Sequence, residues 1–169
     1  MKEIQLTQGQ VALVDDEDYE RVSQFKWHAL FFPKYANGGR FMAARSCRLL
    51  EVPRTVLLHR FVMDAQHGQI IDHIDGNPLN NQRGNLRFAS HCENGRNNLY
   101  LLQKHNTSGF RGVSWNKHKN KWSAQIKFGG KQSYLGVFTD KLEAAKAYNE
   151  AAKKYHGEFA TLNPIEGDE

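Results

Sequence analysis

The sequence predicts an α+β protein, and three observations support this prediction. Residues 70–99 follow the order strand, polar loop, strand and helix. Residues 121–128 alternate strictly between apolar and polar side chains before a Gly129-Gly130 turn, a pattern typical of a β-hairpin. Beyond residue 140, apolar side chains recur at helical spacing. The C-terminal part is therefore expected to be a three-stranded antiparallel sheet packed on one helix, with strands at residues 109–115, 121–128 and 131–138.

Short strands and helices are also predicted before residue 70. The acidic run from Asp15 to Asp18 suits the positive end of a helix dipole, and Asn37-Gly38-Gly39 is a turn signal. The predicted strands cover residues 11–14, 26–32, 40–46 and 54–57, and the predicted helices cover residues 15–24 and 58–63.

Positive charge is concentrated in one block of the chain. The 169 residues carry a formal net charge of +5, yet residues 104–156 hold 11 Lys and Arg against 3 Asp and Glu. Residues 1–50 hold 7 against 6, and residues 51–103 hold 5 against 5. A basic surplus in one block predicts a module that binds a polyanion, with a solvated lysine-rich face as an equally weighted alternative.

Cysteine usage and hydropathy indicate the cellular setting. Cys47 and Cys92 lie far apart, which predicts neither a disulfide framework nor a zinc site. The N-terminus lacks the pattern of a signal peptide, and no apolar run approaches membrane length. We therefore expect a soluble cytoplasmic protein without membrane contact.

The residue types in the motif region point to a hydrolytic site. Asp72 and His73 are followed by Asn85 and Asn94, 12 and 21 positions after the histidine. A carboxylate for a hard metal ion, a histidine that takes a proton from water and an asparagine that completes the site are the groups that metal-assisted phosphodiester hydrolysis needs. Alone, Asp72-His73 is more typical of a turn with a buried histidine, but the two asparagines favour a site.

Local geometry constrains this hypothesis. Neighbours on a regular strand point to opposite faces, so Asp72 and His73 share a site only if the strand bends or ends there. Ser90 and Glu93 have the spacing of a capping box, which predicts that a helix begins at Ser90 with Asn94 in its first turns.

The pattern over residues 54–98 resembles the HNH endonuclease family, in particular phage- and intron-type homing endonucleases in which Asn replaces the last His. It consists of Leu58-His59-Arg60, Asp72-His73-Ile74-Asp75-Gly76-Asn77, Asn80-Asn81, Asn85-Leu86-Arg87 and Glu93-Asn94.

The resemblance implies a ββα-metal (His-Me finger) nuclease core and one divalent metal ion, Mg²⁺ first and Mn²⁺ as the alternative. It implies that Asp72 and Asn94 are metal ligands, that His73 is the general base, and that Asn85 braces the loop so that His73 is oriented. Several residues near the motif are candidate phosphate contacts, although His59 is favoured as a structural residue and exposed arginines are often only solvated. These candidates are His59, Arg60, Arg83, Arg87 and Arg96.

A second resemblance covers residues 108–163. Ser108-Gly109-Phe110-Arg111-Gly112-Val113-Ser114-Trp115, Tyr134-Leu135-Gly136-Val137-Phe138 and Glu143-Ala144-Ala145-Lys146-Ala147-Tyr148 are similar to AP2-type DNA-binding domains, whose sheet lies in the major groove of DNA. Trp115 is favoured as a core residue over a DNA contact. The predicted core residues are Trp122, Ala124, Ile126, Leu142, Ala145 and Tyr148. The predicted DNA contacts are Arg111, Lys119, Lys121, Ser123, Gln125, Lys127, Gln132 and Tyr134, with Arg111 reading guanine, Gln125 reading adenine and the lysines mostly meeting phosphate.

The predicted organisation is an N-terminal α+β segment (residues 1–53), a catalytic core (54–99), a linker (100–107), an AP2-like domain (108–163) and an acidic tail (164–169). The predicted function is a metal-dependent endonuclease of double-stranded DNA, without a small-molecule cofactor, in a bacterial host cell or encoded by a phage. Nicking, double-strand cleavage and the oligomeric state stay open. The alternatives are a DNA-binding regulator with a silent nuclease fold and an RNA nuclease; an intact set of Asp72, His73, Asn85 and Asn94 argues against the regulator.

Overall fold

A computed structural model describes residues 1–33, 39–49, 52–96 and 106–165, and the chain divides into two compact units, Met1–Gly95 and Arg96–Glu169. Strands pair antiparallel within each described sheet, and helices are few. The α+β prediction is therefore confirmed. The turn predicted around residue 37 and most of the predicted linker lie outside the described residues. None of the described helices combines the length and apolar character needed to cross a bilayer.

The described residues of the first unit form three small antiparallel sheets. The first sheet is the hairpin of β1 (Lys2–Gln5) and β2 (Val11–Val14), which is followed by α1 (Asp16–Ser23). The second has the order β3 (His28–Phe32), β4 (Arg40–Leu49), β5 (Val52–Leu57), and it leads into α2 (Leu58–Val62). The third is the hairpin of β6 (Ile70–His73) and β7 (Leu86–Ala89), which is followed by α3 (His91–Arg96).

One hydrophobic core joins the N-terminal elements to the motif region. Val14 and Val22 are fully buried in the same cluster as Ile71 of β6 and Leu86 of β7. Trp27 is also buried in this core, and its indole Nε1 donates a hydrogen bond of 2.9 Å to Val22 O. Because buried residues of β2 and α1 share one cluster with buried residues of β6 and β7, residues 1–53 do not have a core of their own in the described structure.

Several strand limits in the first unit differ from the prediction: β3 begins two residues later, β4 ends three residues later and β5 begins two residues earlier. Strand β1 was not predicted, since Lys2–Gln5 has a single buried side chain, Ile4, and so lacks a two-residue alternation. Strand β6 extends one residue further than expected and includes His73, which pairs with Leu86. His73 is therefore the last residue of a paired strand.

The second unit is a three-stranded sheet backed by one helix. The order is β10 (Lys131–Phe138), β9 (Lys121–Phe128), β8 (Val113–Asn116), and α4 (Lys141–His156) follows. Asp140 caps α4, because its Oδ1 accepts a 3.0 Å hydrogen bond from Leu142 N. The first strand was predicted from Gly109 but begins at Val113, since Gly109 and Gly112 have φ values of 78° and 71°, which extended backbone does not adopt.

Small side chains let α4 approach the sheet closely. Ala144, Ala145 and Ala152 are fully or almost fully buried against Val113, Ala124 and Ile126. The prediction that Leu142 belongs to the core is wrong, because its side chain is 41% exposed. At 100° per residue, Leu142 lies about 120° around the helix from the centre of the buried face.

We predict that Gly112→Ala destabilises the second unit. A Cβ at this residue would clash with the Tyr148 ring and lie 2.6 Å from Gln125 O, both parts of the packed interior. We expect a loss of about 3 kcal/mol in the free energy of unfolding, measured by urea denaturation. Gly129→Ala is the matched control, since Gly129 also has a positive φ of 58° but open space around it, and only about 1 kcal/mol should be lost. Equal losses for the two variants would contradict this account of packing.

Candidate functional site

Asn85 ties together the two ends of the loop between β6 and β7. Its side-chain Oδ1 accepts a 3.0 Å hydrogen bond from Asp75 N, and its Nδ2 donates to Asp75 Oδ1 and to Asn80 O, both at 2.9 Å. Its backbone oxygen accepts a 2.9 Å hydrogen bond from Ile74 N. The residues that directly follow His73 are therefore held against the start of β7.

The Asp75 carboxylate is the second anchor of this loop. Besides Asn85, it accepts hydrogen bonds from Asn77 N at Oδ1 (2.8 Å) and from Asn80 Nδ2 at Oδ2 (2.8 Å). Asn77 Oδ1 in turn accepts from Leu79 N at 3.1 Å. Short polar side chains that bond to nearby backbone in this way replace secondary structure and give the loop a defined shape.

His73 lies buried beneath this loop. Its ring is 9% exposed and packs edge-to-face on the ring of His59, with 5.1 Å between the centroids. Burial lowers the pKa of His73; the neighbouring Asn81 side chain and the nearby charges of Asp75 and Asp72 oppose that shift, and the charge of Arg40 adds to it. Because the net shift is downward, the ring is neutral at neutral pH, the form that accepts a proton.

Asp72 has different neighbours from His73. Its side chain is buried and faces its cross-strand partner Arg87, whose Nε and Nη2 donate hydrogen bonds of 3.0 Å and 2.8 Å to Asp72 Oδ2. The two residues thus follow the expected alternation of a strand. They are nonetheless close enough for the charge of Asp72 to act on the His73 ring.

The predicted helix start is confirmed. Ser90 N donates to Glu93 Oε2 at 2.8 Å, and Glu93 N donates to Ser90 Oγ at 3.3 Å, which are the two bonds of a capping box. Asn94 lies in the first turn of α3 with an exposed side chain, and its backbone N donates to Ser90 O at 3.0 Å. The side chain of Arg96 lies outside the described part of the structure.

The donor atoms of Asp72 and Asn94 suit a hard cation. A carboxylate and an amide oxygen are ligands that Mg²⁺ accepts, and Mg²⁺ keeps several waters and needs few protein ligands. The hydrogen bonds of Arg87 Nε and Nη2 hold the Asp72 carboxylate in a fixed orientation at the end of β6. Among the described residues, no group of three or more His, Cys, Asp or Glu side chains forms a denser metal site.

The candidate phosphate contacts have partners within the unit. His59 is 8% exposed, and Arg87 holds Asp72. Arg60 donates hydrogen bonds to the backbone oxygens of Ala65, Gln66 and Gln69, which shapes the turn before β6. Contact of these side chains with phosphate stays a prediction.

Three residues of the site were not singled out from the sequence. Asn81 is 1% exposed beside His73, and Asp75 anchors the loop, although the types of both residues are equally typical of ordinary loops. Arg40, in β4, donates a 3.0 Å hydrogen bond from Nη1 to Gly76 O. Asn81 and Asp75 belong to the recognised motif, but Arg40 lies far from it in sequence, and no local pattern indicates its position.

In the second unit, most of the predicted DNA contacts share one face of the sheet. The register pairs Gln125 with Tyr134 and Lys127 with Gln132, whereas Ala124 and Ile126 point toward α4. Lys121 and Ser123 follow the same alternation, and Lys119 lies in the turn between β8 and β9. Tyr134 is 59% exposed. This face is called the outer sheet face below.

Two predicted contacts differ from the others. Ser123, which lies between Ser114 and Val137 on the neighbouring strands, is 8% exposed, so its side chain offers little surface. Arg111 hydrogen bonds with the side chain of Tyr148, a buried residue of α4 whose pKa is raised by burial. The Arg111 side chain therefore contacts the helix in this structure, and its contact with DNA stays a prediction.

Trp115 is half-exposed on the face that packs against α4. It pairs across the strands with Trp122, and the two rings meet edge-to-face with 5.0 Å between centroids. The register therefore places Trp115 on the face that packs on α4 and not on the outer sheet face. Even so, 42% of the residue is accessible to solvent.

The sequence model of the HNH endonuclease family matches residues 56–96, the part of the first unit that contains α2, the β6–β7 hairpin and α3. A buried histidine at the end of β6, an asparagine-braced loop and a capped helix thus coincide with the motif of a nuclease. The chain therefore contains an HNH endonuclease region at residues 56–96 and an AP2-like region at its C-terminal end.

Individual relatives cover both units. Protein 3.8 of Escherichia phage T7 is 39% identical over 107 residues, which are 60% of this chain and 86% of the relative. An uncharacterized HNH endonuclease of Acanthamoeba polyphaga mimivirus is 29% identical over 164 residues, which are 94% of this chain and 77% of the relative. An AP2-like ethylene-responsive transcription factor of Arabidopsis thaliana is 40% identical over 62 residues, only 13% of its own length.

We predict that His59 makes the first unit less stable in acid. Burial, then the charges of His73 and Arg60, lower the pKa of His59 from 6.5 to about 3. The unfolded chain therefore binds one more proton than the folded chain between these pH values, and stability present above pH 6.5 is lost as the pH falls toward 3. At about 1.4 kcal/mol per pH unit, lowering the pH from 6.5 to 5 should cost roughly 2 kcal/mol through this residue.

The measurement compares urea denaturation of the wild type and of His59→Gln at pH 7 and pH 5. The variant is expected to be less stable at pH 7, because the packing of the buried ring is removed, but its stability should fall less with pH. His67→Gln is the control, since His67 is exposed. The same pH dependence in wild type and His59→Gln would contradict the depressed pKa.

Proposed function

We propose that the chain is a metal-dependent endonuclease that hydrolyses phosphodiester bonds of double-stranded DNA. Residues 54–99 would be its ββα-metal core, and residues 108–163 would bring that core to its target. The observation that carries this proposal is the bracing of the loop after His73 by Asn85, because a general base acts only when its ring is held in one orientation.

Each motif residue has a role in this proposal. His73 is neutral at neutral pH and accepts the proton of the attacking water. Asn85 keeps the loop above His73 in place and so fixes the ring. Asp72 and Asn94 hold the divalent ion, Mg²⁺ or alternatively Mn²⁺, through oxygen atoms. When bound, such an ion offsets the charge that develops on the phosphoryl and leaving oxygens.

Targeting is proposed for the outer sheet face. Lys119, Lys121 and Lys127 would contact phosphates, and Gln125 would contact a base edge in the major groove. The likeness of this region to transcription factors supports a duplex partner. Because each chain has one motif, one chain cuts one strand per visit, and a double-strand break needs a second chain or a second event.

The same likeness favours a second candidate function, a DNA-binding regulator whose nuclease core is silent. The two functions differ in a single observable, since both bind DNA and only the nuclease changes the topology of a plasmid.

We predict that the wild type with Mg²⁺ or Mn²⁺ converts supercoiled plasmid to nicked or linear forms and that EDTA abolishes this conversion. His73→Ala and Asp72→Ala should each lower the cleavage rate at least about a hundredfold, because the base or a metal ligand is lost. His67→Ala, at an exposed histidine outside the site, should cleave as the wild type does. Binding without any cleavage by the wild type would favour the regulator, and cleavage of RNA alone in parallel assays would identify an RNA nuclease.

We predict that DNA affinity depends on the lysines of the outer sheet face and not on the total positive charge of the second unit. The double variant Lys121→Ala/Lys127→Ala should weaken binding to any duplex and lower the slope of log affinity against log salt by about 1.8, because each phosphate that is no longer neutralised lowers it by about 0.9. Lys146→Ala/Lys153→Ala removes the same charge from exposed residues of α4 and should leave the slope nearly unchanged. Equal slopes for both double variants, measured by fluorescence anisotropy, would contradict the proposed face.

A further inference from the structure

The segment of residues 13–18, at the end of β2 and the start of α1, contacts the loop that carries Asn85. Leu13 N donates to Leu79 O, and Asn81 N donates to Leu13 O, both at 2.8 Å. These two bonds add residues 79–81 to the edge of β2 as a short parallel bridge. The middle of the loop is thus anchored to another sheet of the unit.

Asp15 extends this contact along the loop. Its Oδ2 accepts a 2.7 Å hydrogen bond from Arg83 N, and its Oδ1 accepts a 3.0 Å hydrogen bond from Gln82 Nε2. Gln82 and Arg83 lie three and two residues before Asn85, whose backbone N donates to Gln82 O at 2.9 Å. A shift of Gln82 or Arg83 would therefore move Asn85 with it.

Asp18 is the buried end of the contact. It is 4% exposed, and both of its carboxylate oxygens accept from Arg83, at 2.7 Å from Nε and 2.8 Å from Nη2. Arg21 Nη2 adds a 3.0 Å bond to the same carboxylate and also donates to Val62 O at the end of α2. Burial alone would raise the pKa of Asp18, but the bonds from Arg83 and Arg21 lower it below its ordinary value, so the carboxylate is charged at neutral pH.

The contacts continue from this ion pair to the site. Asn81, next to the bridge with Leu13, lies beside the His73 ring, and Asn80 O accepts from Asn85 Nδ2 at 2.9 Å. Asn85 then holds Asp75, two residues beyond His73. An unbroken series of hydrogen bonds therefore links Asp18 to the loop that covers the histidine.

We propose that Leu13, Asp15 and Asp18 together act as a brace for the catalytic loop, and that Asp15 and Asp18 are positioning residues for the cleavage reaction. This inference rests on the proposed nuclease function. The brace sets the position of Asn85 and hence of His73, and neither aspartate contacts DNA or metal. A bidentate pair between a buried carboxylate and a guanidinium suits this role, because it restricts orientation as well as distance.

The role matters because small displacements are costly in catalysis. A loop of residues 74–85 has many conformations when its ends alone are held. Misplacing a catalytic group by about 1 Å lowers a rate by as much as a hundredfold. Loss of the brace should therefore reduce the rate of the chemical step and leave the affinity for DNA, which we assign mainly to the second unit, nearly unchanged.

The test uses the full chain with Asp18→Asn, Arg83→Gln and the double variant. Single-turnover cleavage of plasmid with Mg²⁺ should slow about tenfold or more in each single variant, whereas the dissociation constant for DNA should change less than twofold. The double variant should be no slower than the slower single variant, because both changes remove the same interaction. Asp16→Asn is the matched control: Asp16 is an exposed acidic residue of α1 that pairs with the amino terminus, and its loss should leave the rate unchanged.

A second measurement does not depend on cleavage. Amide hydrogen exchange of the free protein should become about tenfold faster at Ile74 and Asp75, whose N–H groups donate to Asn85, in Asp18→Asn but not in Asp16→Asn. If the wild type does not cleave nucleic acid, the proposed function fails, and the exchange rates alone then test whether the brace positions the loop. Unchanged exchange rates at both Ile74 and Asp75 would overturn the brace.

A purely structural role gives a different result. A folded Asp18→Asn variant with a lower melting temperature but the wild-type cleavage rate would overturn the proposal. If Asp18→Asn does not fold, Asp15→Ala serves instead, because Asp15 is only half-buried and its side chain accepts two hydrogen bonds from the loop. A cleavage rate about threefold lower, with unchanged DNA affinity, is expected for Asp15→Ala, and a wild-type rate would overturn the brace.

Discussion

The reciprocal hydrogen bonds between Asn85 and Asp75 are the constraint on which the rest of the site depends. The loop between β6 and β7 is polar and has few apolar side chains to bury, so the hydrophobic effect does little to fix its shape. Its conformation comes from side chains that bond to nearby backbone and to each other. If these bonds were broken, the loop between β6 and β7 would have many conformations in place of one. Neither the orientation nor the burial of the His73 ring would then be defined.

Burial of the two histidines is the complement of this loop. His59 and His73 pack ring to ring, and burial lowers the pKa of both. Two neutral rings can share one apolar site, whereas two charged rings would repel each other and lose their hydration. The core that α2 and β6 share thus both stabilises the unit and keeps His73 in the form that accepts a proton, which links stability to the chemistry that we propose.

The N-terminal elements belong to this arrangement. Their apolar side chains complete the core beneath the β6–β7 hairpin, and the acids at the start of α1 hold the loop above it. Charge near the site is therefore arranged in pairs, with Asp18 facing Arg83 and Asp72 facing Arg87. The second unit is simpler, since small residues of α4 cover one face of the sheet and leave the other face polar and accessible.

Features that depend on neighbours in the chain were determined by the sequence alone. These include the order strand, loop, strand and helix, the capping box at Ser90, the alternation along β9 and the spacing of the HNH motif. Local geometry suffices for each, because hydrogen-bond caps and side-chain periodicity act over a few residues. The same local reasoning failed for Leu142, whose exposure depends on how α4 is rotated over the sheet.

Only the tertiary structure decided which distant residues meet. Asp18 with Arg83, Arg40 with Gly76 and the bridge of Leu13 to Asn80 join segments that are far apart in the chain, and none has a signature in composition or spacing. The acidic run at Asp15 was correctly predicted as a helix start, yet two of its carboxylates also bind the loop of the site. Such contacts arise when folding brings an apolar face of one element onto another, and the polar groups at the edge of that contact must then find partners.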